Sequence, residues 1–78
     1  MIDTLKLRGL LLTKGYSQKD LAKYLGLSVQ SINLKINNKR YFKINEIIKV
    51  CHFLKIESVE EIHKIFFANN VDLNLQND

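Results

Sequence analysis

Gln30 and Asn33 are amide side chains three residues apart, flanked by the apolar residues Val29 and Leu34. A side-chain amide donates and accepts hydrogen bonds together, which matches the edge that adenine presents in the major groove of DNA, and aliphatic groups can contact the thymine methyl. Residues 29–34 contain no arginine, the commonest reader of guanine. We therefore expect these four residues to contact bases, with a preference for A·T pairs. Packing of Leu34 against another protein is the alternative.

The basic residues of the chain are concentrated in its first half. Residues 1–43 contain nine lysines and arginines against two acidic residues, a net charge of +7, whereas the whole chain carries +4. Clustered positive charge attracts a polyanion and releases its counterions on binding, although a lysine-rich face is often only solvated. Contacts from these side chains to DNA phosphates would position the DNA without reading its sequence. The expected phosphate contacts are Gln18, Lys19, Ser28, Ser31, Asn37, Lys39, Arg40 and Lys43.

Side chains that could support catalysis or bind a metal are few and scattered. Cys51 is the single cysteine, and His52 and His63 are eleven positions apart. Metal sites need closely spaced Cys or His ligands, and the sequence has no glycine-rich phosphate loop. We expect no enzymatic activity, no metal, no cofactor and no small-molecule substrate. We interpret Cys51 as a small core residue.

The length of 78 residues allows one domain, because a second core would have too little apolar surface to bury. A single cysteine cannot form an internal disulfide, so the stability must come from packing. The longest apolar run near the N-terminus, Leu10 to Leu12, is far shorter than the roughly 20 residues of a membrane span. These features predict a cytoplasmic domain without membrane association.

Apolar residues spaced by three and four, without any proline, predict helices throughout residues 1–67. Residues 68–78 instead alternate apolar and polar side chains, which favours a short strand or a disordered tail. The predicted fold class is all-α, with a domain at residues 1–67 and a tail at residues 68–78. The five predicted helices run from about Thr4 to Lys14, from the cap Ser17 to the stop at Gly26, from Val29 to Asn37, from Asn45 to Leu54, and from the cap Ser58 to Phe67.

Helices two and three are separated by only about three residues. Ser17 and Asp20 form a shortened capping box at the start of helix two. Gly26 ends that helix, and Ser28 caps the next one. Two short helices joined by a tight glycine turn form a helix-turn-helix, which places its second helix in the major groove. The expected core residues are Leu7, Leu10, Leu11, Leu21, Ala22, Leu25, Ile32, Ile36, Ile47, Val50 or Cys51, Leu54, Ile62 and Phe66, with the methylene stem of Lys35 beside them.

The segment from Ser17 to Ile32 resembles the helix-turn-helix of the lambda-repressor/Cro-like family, also called the XRE family. The similarity extends over about residues 7–66, and residues 35–40 are most similar to small Cro-type regulators of phages from Gram-positive bacteria. Leu11 replaces an arginine common in the family. Asn38 replaces the glycine that is frequent after helix three, and this replacement is tolerable because asparagine also accepts left-handed geometry. The positions that match the family pattern are Gln18, Leu21, Ala22, Gly26, Ser28 and Ile32.

This resemblance implies a five-helix domain that binds double-stranded DNA sequence-specifically, with repression of transcription as the common outcome. Because one helix reads few base pairs, we expect a homodimer on a two-fold symmetric operator. One alternative is a protein-interaction module, such as an antitoxin or antirepressor, that uses Leu34, Tyr41 and Phe42. The other is a nucleoid-type protein that binds DNA without sequence preference. The expected dimer contacts are Phe66, Phe67, Val71, Leu73 and Leu75.

Overall fold

The structure is a computed structural model that describes residues 1–68. This part of the chain forms five helices and contains no strand, which confirms the predicted all-α fold. Each predicted helix end lies within one residue of the observed one. The helices are α1 (Thr4–Thr13), α2 (Gln18–Leu25), α3 (Val29–Ile36), α4 (Ile44–Leu54) and α5 (Val59–Phe66).

The turn between α2 and α3 forms as the local sequence predicts. The Ser17 hydroxyl accepts a hydrogen bond from the Asp20 N–H at 3.1 Å, and the Asp20 carboxylate accepts one from the Ser17 N–H at 2.8 Å. Gly26 ends α2 with φ of 73°, a left-handed conformation that glycine adopts without a Cβ penalty. Ser28 then caps α3 by accepting from the Ser31 N–H at 3.0 Å. The predicted capping box, glycine stop and serine cap are therefore confirmed.

The core is formed by one side of every helix. α2 packs against α3 and α4, and α1 contacts α3 and α5. Most of the predicted core is confirmed, including both Val50 and Cys51. Three residues that we expected to be buried, Leu10, Ile47 and Ile62, are only half-buried at its edge. In α5 the fully buried position is Ile65, because α5 turns Ile65 and Phe66 inward together. The seven fully buried large side chains are Leu7, Leu21, Ile32, Ile36, Val50, Leu54 and Ile65.

Asn38 joins the end of α3 to the start of the chain. Its φ of 63° confirms the left-handed geometry expected from the sequence. Its side chain also accepts from the Ile2 N–H at 2.9 Å and donates to the Ile2 carbonyl at 3.0 Å. Thr4 donates its hydroxyl proton to the Ile36 carbonyl at 2.6 Å, and the Asp3 N–H donates to the Ile65 carbonyl at 2.7 Å. Residues 2–4 therefore tie α3 to α5.

None of the helices in residues 1–68 has the length and apolar character that crossing a membrane requires. The longest of them, α4, has 11 residues.

Candidate nucleic-acid interface

α3 is attached to the domain by one face. Ile32 and Ile36, four residues apart, are fully buried, and Ser28 satisfies a backbone N–H at the start of the helix. At the other end, the Leu34 carbonyl accepts hydrogen bonds from the N–H groups of Lys39 at 2.8 Å and Arg40 at 3.3 Å. The chain after α3 is therefore folded back onto the last turn of the helix, which leaves the opposite face of α3 open.

The four residues expected to contact bases lie on or beside this open face. Val29, Gln30 and Asn33 are exposed, and Leu34 is half-buried. The half-buried position of Leu34 reduces the apolar surface that it can offer to a thymine methyl or to another protein. The three exposed residues form the accessible part of the surface.

The start of α2 lies next to the middle of α3. The Asn33 amide donates to the Gln18 side-chain oxygen at 3.3 Å. We expected Gln18 to contact phosphate and Asn33 to contact a base, and the structure brings the two side chains together. Gln30 makes no hydrogen bond to another side chain within residues 1–68, so both its donor and its acceptor face solvent.

Three of the polar side chains expected to contact phosphate already make hydrogen bonds within α3 or at its ends. Ser28 donates its hydroxyl proton to the Ser31 hydroxyl at 3.1 Å, and the Asn37 amide donates to the Asn33 carbonyl at 2.8 Å. A phosphate oxygen accepts hydrogen bonds, so only free donors can bind it. Ser31 keeps its proton and Asn37 keeps one of its two amide hydrogens, whereas Ser28 would have to rotate its hydroxyl away from Ser31.

The basic side chains expected to contact phosphate are all exposed. Lys19 lies in the first turn of α2, and Lys39, Arg40 and Lys43 lie in the loop between α3 and α4. Asp20 lies beside Lys19. Hydrogen bonds from the Ser17 backbone N–H and then the Ser17 hydroxyl lower the pKa of the Asp20 carboxyl, so it stays ionised. The strongest positive charge of this surface therefore lies in the α3–α4 loop.

A buried ion pair holds the base of this loop. The Lys35 ammonium donates to the Glu46 carboxylate at 2.5 Å, and both side chains are 10% exposed. The Lys43 N–H donates to the same carboxylate at 2.9 Å. Burial opposes ionisation of Glu46, but the hydrogen bonds from Lys35 and from the Lys43 backbone outweigh it, so the pKa of the carboxyl lies below its ordinary value.

This ion pair was not predicted from the sequence, where only the methylene stem of Lys35 was expected to be buried. The structure buries the charged end as well, because α4 presents Glu46 to it. One signal was available: Glu46 is the third residue of α4, where a glutamate commonly accepts from the backbone N–H before the helix. A buried lysine also requires a carboxylate partner.

Two aromatic side chains predicted to form contacts with another chain belong to the core. Phe66 is 2% exposed, so it offers no surface to a second subunit. Phe42, expected in a protein-interaction surface, is 9% exposed and packs edge-to-face on Phe66 with ring centroids 6.1 Å apart. Tyr41 is 86% exposed and Phe67 is half-buried. The other predicted dimer contacts, Val71, Leu73 and Leu75, lie outside the described residues, as does the predicted strand or tail beyond Ala68.

An aromatic cluster on the other side of α2 was also not predicted from the sequence. Phe53 of α4 packs between Tyr16 and Tyr24, with ring centroids 4.3 and 4.8 Å away. It joins the α1–α2 turn and α2 to α4. The sequence carried no signal for it, because the three rings come from positions up to 37 residues apart.

Groups able to react or to bind a metal are sparse. Cys51 is buried, and burial raises the pKa of its thiol. Within residues 1–68 no three His, Cys, Asp or Glu side chains lie close enough together to hold a metal ion.

The comparison with known families gives a match over most of the chain. The chain belongs to the family described as protein of unknown function (DUF739), whose profile matches residues 1–69. A comparison with curated proteins found no match. Because the family description assigns no activity, function has to be argued from the surface of the domain.

Proposed function

We propose that this chain is a sequence-specific double-stranded DNA-binding regulator of the lambda-repressor/Cro-like type, which represses transcription by occupying an operator. In this proposal α2 and α3 form the helix-turn-helix, and α3 enters the major groove. The observation that carries the proposal is the open face of α3, where Gln30 and Asn33 point away from the core.

Gln30 is the main base-reading residue in this proposal. Its amide faces solvent with donor and acceptor both available, as bidentate pairing with adenine requires. Asn33 shares one amide hydrogen with Gln18 at 3.3 Å and keeps its oxygen and its second hydrogen. A good bidentate contact gives about 1–3 kcal/mol of discrimination between bases. The proposed half-sites are therefore rich in A·T pairs beneath α3.

The α3–α4 loop supplies the main phosphate contacts. Lys39 and Arg40 are exposed, and their backbone N–H groups are bonded to the last turn of α3. The backbone of these two residues is therefore fixed to the reading helix. Lys43 lies at the other end of the loop, where its backbone is bonded to Glu46. Two copies of the chain would bind half-sites about 34–36 Å apart, one helical turn of DNA.

The experiment begins with selection of bound fragments from random duplex DNA at stated salt, followed by affinity measurement on the selected operator and on random DNA. Replacing Gln30 by alanine should weaken operator binding about tenfold, the lower part of the range for one base contact, and leave binding to random DNA unchanged. The double variant Lys39→Ala/Arg40→Ala should weaken binding to both DNAs. Its salt slope should fall by about two, close to one for each phosphate that the variant no longer neutralises.

The matched control is the double variant Lys49→Ala/Lys64→Ala, which removes two exposed positive charges from α4 and α5. It should alter affinity less than the loop variant does. Equal losses in the two double variants would show that the charge acts through the whole protein and not through the loop. No enriched sequence, or equal affinity for enriched and random DNA, would refute specific readout and leave a nucleoid-type protein.

One observation favours the protein-interaction alternative, namely the exposure of Tyr41 at 86%. If this residue binds a regulatory partner, Tyr41→Ser should remove that partner in a pull-down and leave operator affinity unchanged. A loss of operator affinity would instead place Tyr41 in the DNA interface.

A further inference from the structure

An apolar groove of about 270 Å³ lies between the α3–α4 loop, the start of α4 and the end of α5. Its apolar lining includes Ile2, Tyr41, Ile44, Ile47 and Phe67. Tyr41 and Ile44 are mostly exposed, although both are large apolar side chains. Contiguous exposed apolar residues of this kind mark a surface that another group covers.

We propose that residues 69–78 of the same chain bind in this groove. Phe67 is part of the groove wall, so residues 69–78 follow two positions after a residue that lines the groove. A chain spans at most about 3.3–3.6 Å per residue, so Val71 can lie up to about 14 Å from Phe67 and Leu75 up to about 28 Å. The segment is long enough to run along the groove.

The side chains of this segment suit the groove. Val71, Leu73 and Leu75 occupy alternate positions, and in an extended segment alternate side chains share one face. A cavity of about 150 Å³ accommodates one benzene-sized group. The groove therefore has room for roughly two aliphatic side chains, with the third covering the exposed rim.

The charges favour this segment over a second copy of the domain. Residues 69–78 contain Asp72 and Asp78 and no basic residue. Arg40 lines the groove and makes no ion pair within residues 1–68, whereas the Lys35 ammonium in the same lining is paired with Glu46. An acidic segment attracts Arg40, but the basic surface of a second domain would repel it. The inference does not rest on the proposed function, although both involve Arg40, and it assigns Val71, Leu73 and Leu75 to the groove instead of to a dimer contact.

A tryptophan at the groove tests this inference, since the chain contains no tryptophan. Tyr41→Trp keeps an aromatic ring on the rim, and Leu12→Trp, at a residue 80% exposed on α1, is the matched reference. In the 78-residue chain we expect the Tyr41→Trp emission to be blue-shifted and less quenched by acrylamide than that of Leu12→Trp. Adding Val71→Ser, Leu73→Ser and Leu75→Ser should remove both differences.

The control variant changes the polar positions of the same segment, Asn70→Ser, Asn74→Ser and Gln76→Ser, and should leave the emission unchanged. Circular dichroism of each variant establishes that the domain is folded. Identical emission and quenching in the two serine variants would overturn the inference. Shielding that disappears on dilution would also overturn it, because the groove would then be filled by the segment of a second copy. Shielding that persists at the lowest concentration supports binding within one chain.

Discussion

Glu46→Gln removes the negative charge of the buried ion pair and nearly keeps the shape of the side chain. Lys35 then remains about 90% buried on its side chain without a counter-charge. Loss of one partner of a buried pair costs about 3–5 kcal/mol. The glutamine oxygen can still accept a hydrogen bond from Lys35, so we expect a smaller loss than this, about 2–3 kcal/mol. For a domain of this size that is a fall in Tm of about 10–20 °C.

Urea denaturation followed by helical circular dichroism measures this change. Two comparisons make the cause specific. Glu57→Gln removes an exposed carboxylate just before α5 and should alter stability by less than about 0.5 kcal/mol. The double variant Lys35→Met/Glu46→Leu replaces the pair by apolar side chains and should recover much of the loss, since such replacements are often neutral or stabilising.

The pH dependence of stability gives an independent measurement. The pKa of Glu46 is lower in the folded than in the unfolded protein, because burial is outweighed by the hydrogen bonds from Lys35 and the Lys43 backbone. The contribution of ionised Glu46 to folding stability is complete above the ordinary glutamate pKa of about 4.3. It is lost as the pH falls through the lower pKa that Glu46 has in the folded protein. The stability difference between the wild type and Glu46→Gln should therefore shrink in acid. A Glu46→Gln protein as stable as the wild type at pH 7 would refute the description of this pair as buried and coupled.

Three further predictions concern four individual positions. Asn38→Gly keeps the left-handed backbone but loses the side-chain hydrogen bonds to residues 2–4. Denaturation should show that the free energy of unfolding falls by about 1–3 kcal/mol. An unchanged denaturation midpoint would contradict a stabilising role for these hydrogen bonds. Gly9→Ala, in open space within α1, should stabilise the protein by about 0.5–1 kcal/mol, whereas Gly26→Ala, at φ of 73°, should destabilise it by about 1–2 kcal/mol. Stability changes of the same sign in both variants would refute the left-handed turn at Gly26. Burial raises the pKa of the Cys51 thiol, so in the folded protein this thiol should react with an aromatic disulfide reagent at pH 8 far more slowly than in the unfolded chain. Equal reaction rates in the folded and unfolded protein would place Cys51 at the surface.

The elements of this domain could be predicted from sequence because their signals are local. Ser17 with Asp20, and Ser28 with Ser31, are each three residues apart and satisfy backbone groups within one helical turn. Gly26 ends α2 through its own backbone conformation. Such features depend on neighbours in the chain, so the five helices and the open face of α3 followed from residue order alone.

The contacts between distant segments could be decided only by the tertiary structure. Lys35 and Glu46 are 11 residues apart and Asn38 and Ile2 are 36 apart, so no periodicity connects them. The same limit explains Phe66, which helical spacing allows to face either the core or a second chain, and which packing on Phe42 places in the core. Sequence periodicity fixes which side chains share a face. The arrangement of the helices then determines which of those faces are covered, because burial depends on surfaces contributed by other parts of the chain.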